Sequence, residues 1–411
     1  MSKKVMSEIE TFARIRVVGV GGSGCNAINH MINSKVRGVE FVAINTDAQD
    51  LHRTLAKRKI HIGKNLTRGL GAGMNADLGR RAAEETRQAI QEALQGSDMV
   101  FITCGMGGGT GTGASSIIAK IAKELDALTV AIVTKPFSFE GAQRKAIADH
   151  GLVELKKEVD AYIVIPNDKL LSIVEPNTSA KTAFALCDEV LRQAVEGVSD
   201  IIVTPGDINT DFNDIKAIME GAGPALMGIG IADGEGRAKE AAAKAVNSPL
   251  LDVSITGAKG ILFVVAGSDD LGILEVQEAA KVISESVDKD AKIIFGMMRD
   301  NKLKKGQIRI IVIATGFPER SPELAAIERS LFSLPIKDQQ TARGKIYNEI
   351  TKQREEIAGT EAKDEPRKEK EEPIVTAQPQ KREESEKRAP RAEEEEDMWG
   401  AIPNFLRRTK K

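Results

Sequence analysis

Hydrophobic residues in this chain fall into two rhythms. Short, β-branched apolar runs at 15–20, 41–44, 60–62, 99–103, 128–134 and 162–166 predict buried strands of a parallel sheet. Between them the spacing changes to that of helices, as at Ile117, Ile118, Ile121 and Leu125 after the fourth run. A longer amphipathic stretch, 179–199, carries Phe184, Leu186, Val190, Leu191 and Val195 and is long enough to join two subdomains as a spine. Beyond a helix over 212–220, the segments MGIGIA, GILFVVAG, KIIFGMM and IRIIVIATGF predict four more strands, with helices at 237–246 and 273–287 between them. The expected organisation is a lead at 1–11, a Rossmann-type α/β domain at 12–178, a central helix at 179–202 and a second α/β domain at 203–317. A tail with a possible helix (318–360), a charged linker (361–397) and a terminal peptide (398–411) follow.

Three strand-to-helix junctions are rich in glycine. The densest holds six glycines in the nine residues 105–113, interleaved with Thr110 and Thr112. Without a Cβ, successive backbone amides can turn inward on a polyanion at the positive end of the following helix. This stretch therefore predicts a phosphate cradle. In the first junction Gly19, Gly21 and Gly24 match G-x-G-x-x-G, a weak signal alone because dinucleotide enzymes carry it. Residues 45–49, NTDAQ, fall where such enzymes keep a ribose-binding acid, so Asp47 is open between two nucleotide readings. A third loop, RGLGAGMNAD at 68–77, tips the balance, since several loops at one sheet edge would wrap a triphosphate and a dinucleotide fingerprint needs only one. The sequence contains no G-x-x-x-x-G-K-[ST] run, so backbone amides and a phosphate-held Mg²⁺ are expected to neutralise the charge, with no dedicated protein metal site.

Two polar groupings carry alternatives. Glu140 and Arg144, four apart, read from spacing as an exposed ion pair worth ~0.3–0.5 kcal/mol. Asn209, Asp211 and Asp214 crowd a helix start, where one acid would suffice as a cap. An amide with two acids could also hold a cation or orient a water.

A net charge of −2 over 411 residues gives no basic footprint, which argues against nucleic acid as a partner. Cys25, Cys104 and Cys187 are widely spaced and odd in number, as expected in a reducing compartment. With no signal peptide and no run of ~20 apolar residues, a cytoplasmic protein without a transmembrane segment is expected. Residues 361–397 contain fourteen acids, nine bases and four prolines and cannot bury enough surface to fold. The terminal MWGAIPNFLRRTKK differs. Trp399, Ile402, Pro403, Phe405 and Leu406 beside Arg407 read as a ligand for a partner groove or membrane surface.

Taken together, GGGTGTG, NTDAQ, RGLGAG, PFxFEGxxR, IPNDKLL and N-x-D-x-x-D, in that family's order apart from the first, resemble the tubulin-like cell-division GTPase family FtsZ from about residue 15 to 317, and IPNFLRR is similar to its terminal recognition peptide. The resemblance implies GTP and Mg²⁺ as cofactors and a tubulin/FtsZ-like fold. It implies that Gly21, Gly22, Ser23, Gly24 and Asn26 lie along the nucleotide with Asn45, Asp47 and Gly73. Gly105, Met106, Gly107, Gly108, Gly109, Thr110, Gly111, Thr112 and Gly113 would surround the phosphates. Glu140 and Arg144 would approach the ribose, and Asn167, Phe184 and Asp188 the guanine. Asn209, Asp211 and Asp214 would form a synergy loop acting on the GTP of the next subunit, so that head-to-tail polymers of the protein itself complete the active site. Residues 398–411 would engage membrane-anchor and division proteins, placing the polymer at the division site. The chain departs from the pattern at Ser23 and Ala76, for glycine and proline, at Asp207, for an apolar residue, and at Ala401, for an acid. An NAD(P)-dependent oxidoreductase and a GTP-binding scaffold that does not hydrolyse remain the alternatives.

Overall fold

The computed structural model describes residues 13–171, 178–203, 211–248, 255–268, 270–300 and 303–317. Its first half alternates strand and helix: β1 (Ile15–Val20), α1 (Gly21–Asn33), β2 (Val39–Asn45), α2 (Ala48–Arg53), β3 (Arg58–His61), α3 (Lys64–Thr67), α4 (Ala76–Glu85), α5 (Arg87–Leu94), β4 (Met99–Gly105), α6 (Thr110–Glu124) and β5 (Leu128–Lys135). A 3-10 turn at Ser138–Glu140 leads into α7 (Ala142–Glu158), β6 (Ala161–Pro166) and the short α8 (Asn167–Leu171). The long α9 (Ala180–Val203) follows. Then come α10 (Phe212–Met219), β7 (Gly223–Asp233), α11 (Arg237–Val246), β8 (Gly260–Gly267), α12 (Ile273–Ser284), β9 (Lys292–Arg299) and β10 (Gln307–Thr315).

The strands lie in the order β3-β2-β1-β4-β5-β6-β7-β10-β8-β9. From β3 to β6 the pairing is parallel, and β1 is buried along its whole length while β4 is half-buried only at its last residue. Helices cover both faces, which is why these strands read as unbroken apolar runs. Parallel pairing across Ala161 with Gly223 and Tyr162 with Pro224 joins this sheet to the C-terminal strands, where β10 runs antiparallel to both β7 and β8. One apolar core lies between α1, α9 and both sheets, a second beneath α4 to α7, and a third beneath α11 and α12.

Local boundaries differ from the hydrophobic pattern in two informative places. Helix α6 begins at Thr110, inside the glycine run, so Gly111 and Gly113 occupy its first turn. A Cβ at Gly113 would sit 1.8 Å from the Ala76 carbonyl oxygen, so this glycine lets α6 and α4 touch backbone to backbone. The helical stretch ending at Leu94 is two helices, broken at Thr86, whose hydroxyl accepts the Gly63 amide at 3.2 Å. A side chain that bonds the backbone of another segment competes with helix continuation.

Candidate nucleotide site

Parallel strands all point their carboxyl ends one way, so the turns that follow β1, β2 and β4 gather at one edge. Between them opens a cleft of about 460 Å³. Its floor is made by two helix starts. Gly21 turns the chain out of β1 with φ of +70°, and a Cβ there would lie 2.9 Å from the Gly111 nitrogen, so the first turns of α1 and α6 abut. First-turn amides have no partner inside their own helix and carry the positive end of its dipole. Two such ends facing one cleft form an anion site, and the only cation in the lining, Arg144, is already bonded to Glu140.

Gly21, Gly22, Ser23 and Asn26 line this cleft from α1, and Gly105, Met106, Gly108, Gly109, Thr110 and Gly111 from the second loop. Other expected residues stand behind it. Gly107, at φ of +96°, donates its amide to the Thr112 hydroxyl at 2.9 Å, which pins the loop from within. Gly24 and Gly113 serve contact: a Cβ on Gly24 would be 2.5 Å from the Thr103 carbonyl. Asn45 and Asp47 buttress the turn. The Asn45 side chain donates to Asp50 at 2.7 Å and accepts the Asp47 amide, while Asp47 caps α2 by accepting from Gln49 and Asp50. Thr46 ties this turn to the cradle through a 2.6 Å hydroxyl pair with Thr110. Gly73 lies outside the lining, in a loop whose neighbour Ala72 packs close to Gly109.

The far wall comes from the segments that follow β5 and β6 and from α9. Glu140 accepts the Phe137 amide and pairs with Arg144 at 2.7 Å, so the pair expected from spacing forms, and it does so within the lining. Asn167, at the start of α8, is buried, and its side-chain oxygen has no hydrogen-bond partner among the described residues. Phe184 is 45% exposed on a helix whose other large apolar residues are buried or half-buried, and it meets Phe137 edge to face at 5.3 Å. One turn on, burial pushes the Asp188 carboxyl up to about 7, against a smaller opposing effect of His30. Val20, Thr134, Pro136 and Cys187 also line the cleft. They sit at strand ends or on α9, with no local signature to mark them.

Asp211 and Asp214 lie at the start of α10, where Asp211 accepts the Asp214 amide at 2.8 Å, an ordinary helix cap. Just beyond the other end of α10, the Gly223 amide bonds the Asp160 carbonyl, immediately before β6 begins. That is the amino edge of the sheet, across its length from the glycine turns. Asn209, Asp207 and the terminal residues Trp399, Ile402, Pro403, Phe405, Leu406 and Arg407 lie outside the described residues. Among the described residues, no group of three or more His, Cys, Asp or Glu is placed to hold a metal ion, and no helix is long and apolar enough to cross a membrane.

A glycine-walled anion cleft on a parallel sheet, with a long helix leading to a second α/β sheet, defines a nucleotide-binding protein of the tubulin-like class. The family model described as Tubulin/FtsZ family, GTPase domain, matches residues 14–175, and that of the FtsZ family C-terminal domain matches 223–318. The FtsZ dimer of M. jannaschii, solved in its empty form, is 50% identical, with 75% of this chain and 89% of that chain covered and a TM-score of 0.71. CetZ2 from Haloferax volcanii, solved as a GTPγS-bound protofilament, shares the fold at 21% identity, over 78% of this chain and 98% of that one, with a TM-score of 0.65. The chain belongs to the FtsZ family and carries its GTPase domain. That membership sets aside the oxidoreductase reading of Gly19, Gly21, Gly24 and Asp47.

Proposed function

We propose that this protein is a GTP-hydrolysing cytoskeletal polymer of cell division, whose subunits join head to tail and whose hydrolytic site is completed by the next subunit. One observation carries the reading. The glycine cradle and the acids Asp211 and Asp214 belong to opposite edges of one sheet, joined by the 24-residue α9, which at ~1.5 Å per residue spans ~36 Å. The acids of one subunit are thus too far to reach its own nucleotide. Stacking subunits edge to edge brings them to the phosphates of a neighbour, where Asp211 and Asp214, with Asn209, orient the attacking water. Assembly then makes the site, and loss of the γ-phosphate weakens the contact built over it.

Guanine recognition follows from Asp188 and Asn167. An ionised Asp188 accepts from the adjacent N–H donors on guanine's Watson–Crick edge, whereas adenine presents an acceptor there. Phe184 offers a face for the base, and Glu140 with Arg144 stands toward the ribose. The cleft's acids are Glu140, held by Arg144, and Asp188, so a Mg²⁺ ion would rest on phosphate oxygens and water and offset phosphate charge. In the cytoplasm, residues 398–411 would attach the polymer to membrane anchors and division proteins.

Phosphate release measured against protein concentration tests the mechanism. Turnover per subunit should rise steeply above a threshold. Turnover proportional to protein from the lowest concentration overturns the shared site, and GTP-dependent assembly with no phosphate release would instead mark a non-hydrolysing scaffold.

A further inference from the structure

The edge opposite the nucleotide carries a second groove, of about 570 Å³, formed where the last turn of α1 leaves the amino ends of β1, β2 and β3 uncovered. Its apolar surface is made by Ile32, Val36, Val39, Phe41 and Leu55, the last of which is 52% exposed. Its charged members are Arg16, Lys57 and Arg58 against a single acid, Glu40, which Arg16 already engages at 3.0 Å. Arg58 spends one donor on the Ala93 carbonyl, while Lys57 is exposed and has no hydrogen bond or ion pair among the described residues. An apolar trough with surplus positive charge on its rim fits a segment in which acids run directly into large apolar residues.

The chain itself contains one. Residues 393–397 are five consecutive acids, Glu393 to Glu396 and Asp397, and Met398, Trp399 and Ile402 follow at once. We propose that this segment docks in the groove, its acids against Lys57 and Arg58 and Trp399 over Leu55 and Phe41. Reach is not limiting: the 76 residues from 317 to 393 can span up to ~250 Å at ~3.3 Å each. Tethering also raises the local concentration of the segment, so a weak contact suffices. Because the contact joins opposite charges at an exposed rim, it is sensitive to salt. The groove lies at the far ends of the strands from the cradle, so docking touches no part of the subunit's own nucleotide cleft.

Trp399 is the only tryptophan in the chain, so its fluorescence reports the docked segment directly. In the full chain without nucleotide at ~50 mM salt, acrylamide should quench Trp399 at least about twofold less than it quenches a synthetic peptide of residues 391–403. The difference should not vary with protein concentration, and should vanish at ~0.5 M salt and in the doubly substituted Leu55→Ser/Lys57→Glu chain. Both substituted side chains are exposed, and an unchanged thermal transition and far-UV spectrum verify the fold of that variant. Lys57→Glu alone gives an intermediate quenching. Equal quenching of chain and peptide at low salt, persistence of shielding in a folded double variant, or shielding that grows with protein concentration and so arises between copies, would each overturn the proposal.

Discussion

At Asp188 the site faces a conflict between burial and charge. The carboxyl lies in the cleft with its titration pushed up to about 7, because burial disfavours the ion more than His30 favours it. In the proposed contact guanine supplies the missing donors, so binding would draw the group to its ionised form and release a proton. The sign follows: affinity is full above pH 7 and falls as pH drops below it, because a proton must be displaced before the base can be held. Calorimetric titration with GDP should give about tenfold weaker binding at pH 6 than at pH 8. Asp188→Asn should bind more weakly at pH 8 and show a nearly flat profile over that range. A wild-type profile without this slope would separate the base from Asp188. The position was legible only in part. Phe184 sits in a helical stripe that reads as core, and its exposure emerges only when α9 is set against the cleft. Thr134, Pro136 and Cys187 had no signal, since only the packing of β5 and α9 against the glycine turns makes them neighbours.

Among the elements, α9 carries the heaviest electrostatic load. Glu189, Arg192 and Glu196 are all buried on it; Arg192 bonds both carboxylates, and His30 on α1 meets Glu189 at 2.8 Å. Burial alone would raise the Glu189 titration, yet the hydrogen bonds from Arg192 and His30 and the Arg192 charge outweigh it and hold the carboxyl at about 2. A folded-state value below the usual carboxylate range contributes stability that is present above about pH 4.5 and lost as pH falls through about 2. Arg192→Ala removes the guanidinium that two buried carboxylates share and should cost ~3–5 kcal/mol of unfolding free energy in denaturant titration. Replacing all three by Glu189→Leu, Arg192→Met and Glu196→Leu should recover most of that loss, which separates the missing cation from a generic cavity. Helix α6 makes a steric prediction. Gly113→Ala places a methyl 1.8 Å from the Ala76 carbonyl, so α4 and α6 must part, and both thermal stability and GTP affinity should fall. The glycine runs were legible because a missing side chain is a backbone demand written in the sequence itself. Their division of labour was not. Whether a glycine faces open space, as at Gly108 with nothing within 4 Å of its would-be Cβ, or admits a helix, as at Gly113, depends on a partner distant in sequence.

For the whole molecule, the separation of cradle and acids predicts a variant that splits binding from chemistry. Asp214 is half-buried in the first turn of α10, on an element that ends beside the start of β6, while the nucleotide turns follow the carboxyl ends of β1 and β4. Removing it takes nothing from the subunit's own cleft. Asp214→Ala should therefore bind GTP with unchanged affinity and assemble at a similar threshold, because the cradle and the stacked edges are intact. Its steady-state phosphate release should fall ~10²–10⁴-fold, the range expected when a group that positions or activates water is lost. The resulting filaments should persist, since in the proposed contact the γ-phosphate between subunits would no longer be removed. Fluorescent-nucleotide binding, light scattering and phosphate release on the same preparation check the three parts together. If Asp214→Ala loses affinity in proportion to turnover, the acid acts on its own subunit's nucleotide and the sheet edges do not divide the work. If affinity holds while filaments fail to form, Asp214 belongs to the contact between subunits, and the water must be oriented from elsewhere.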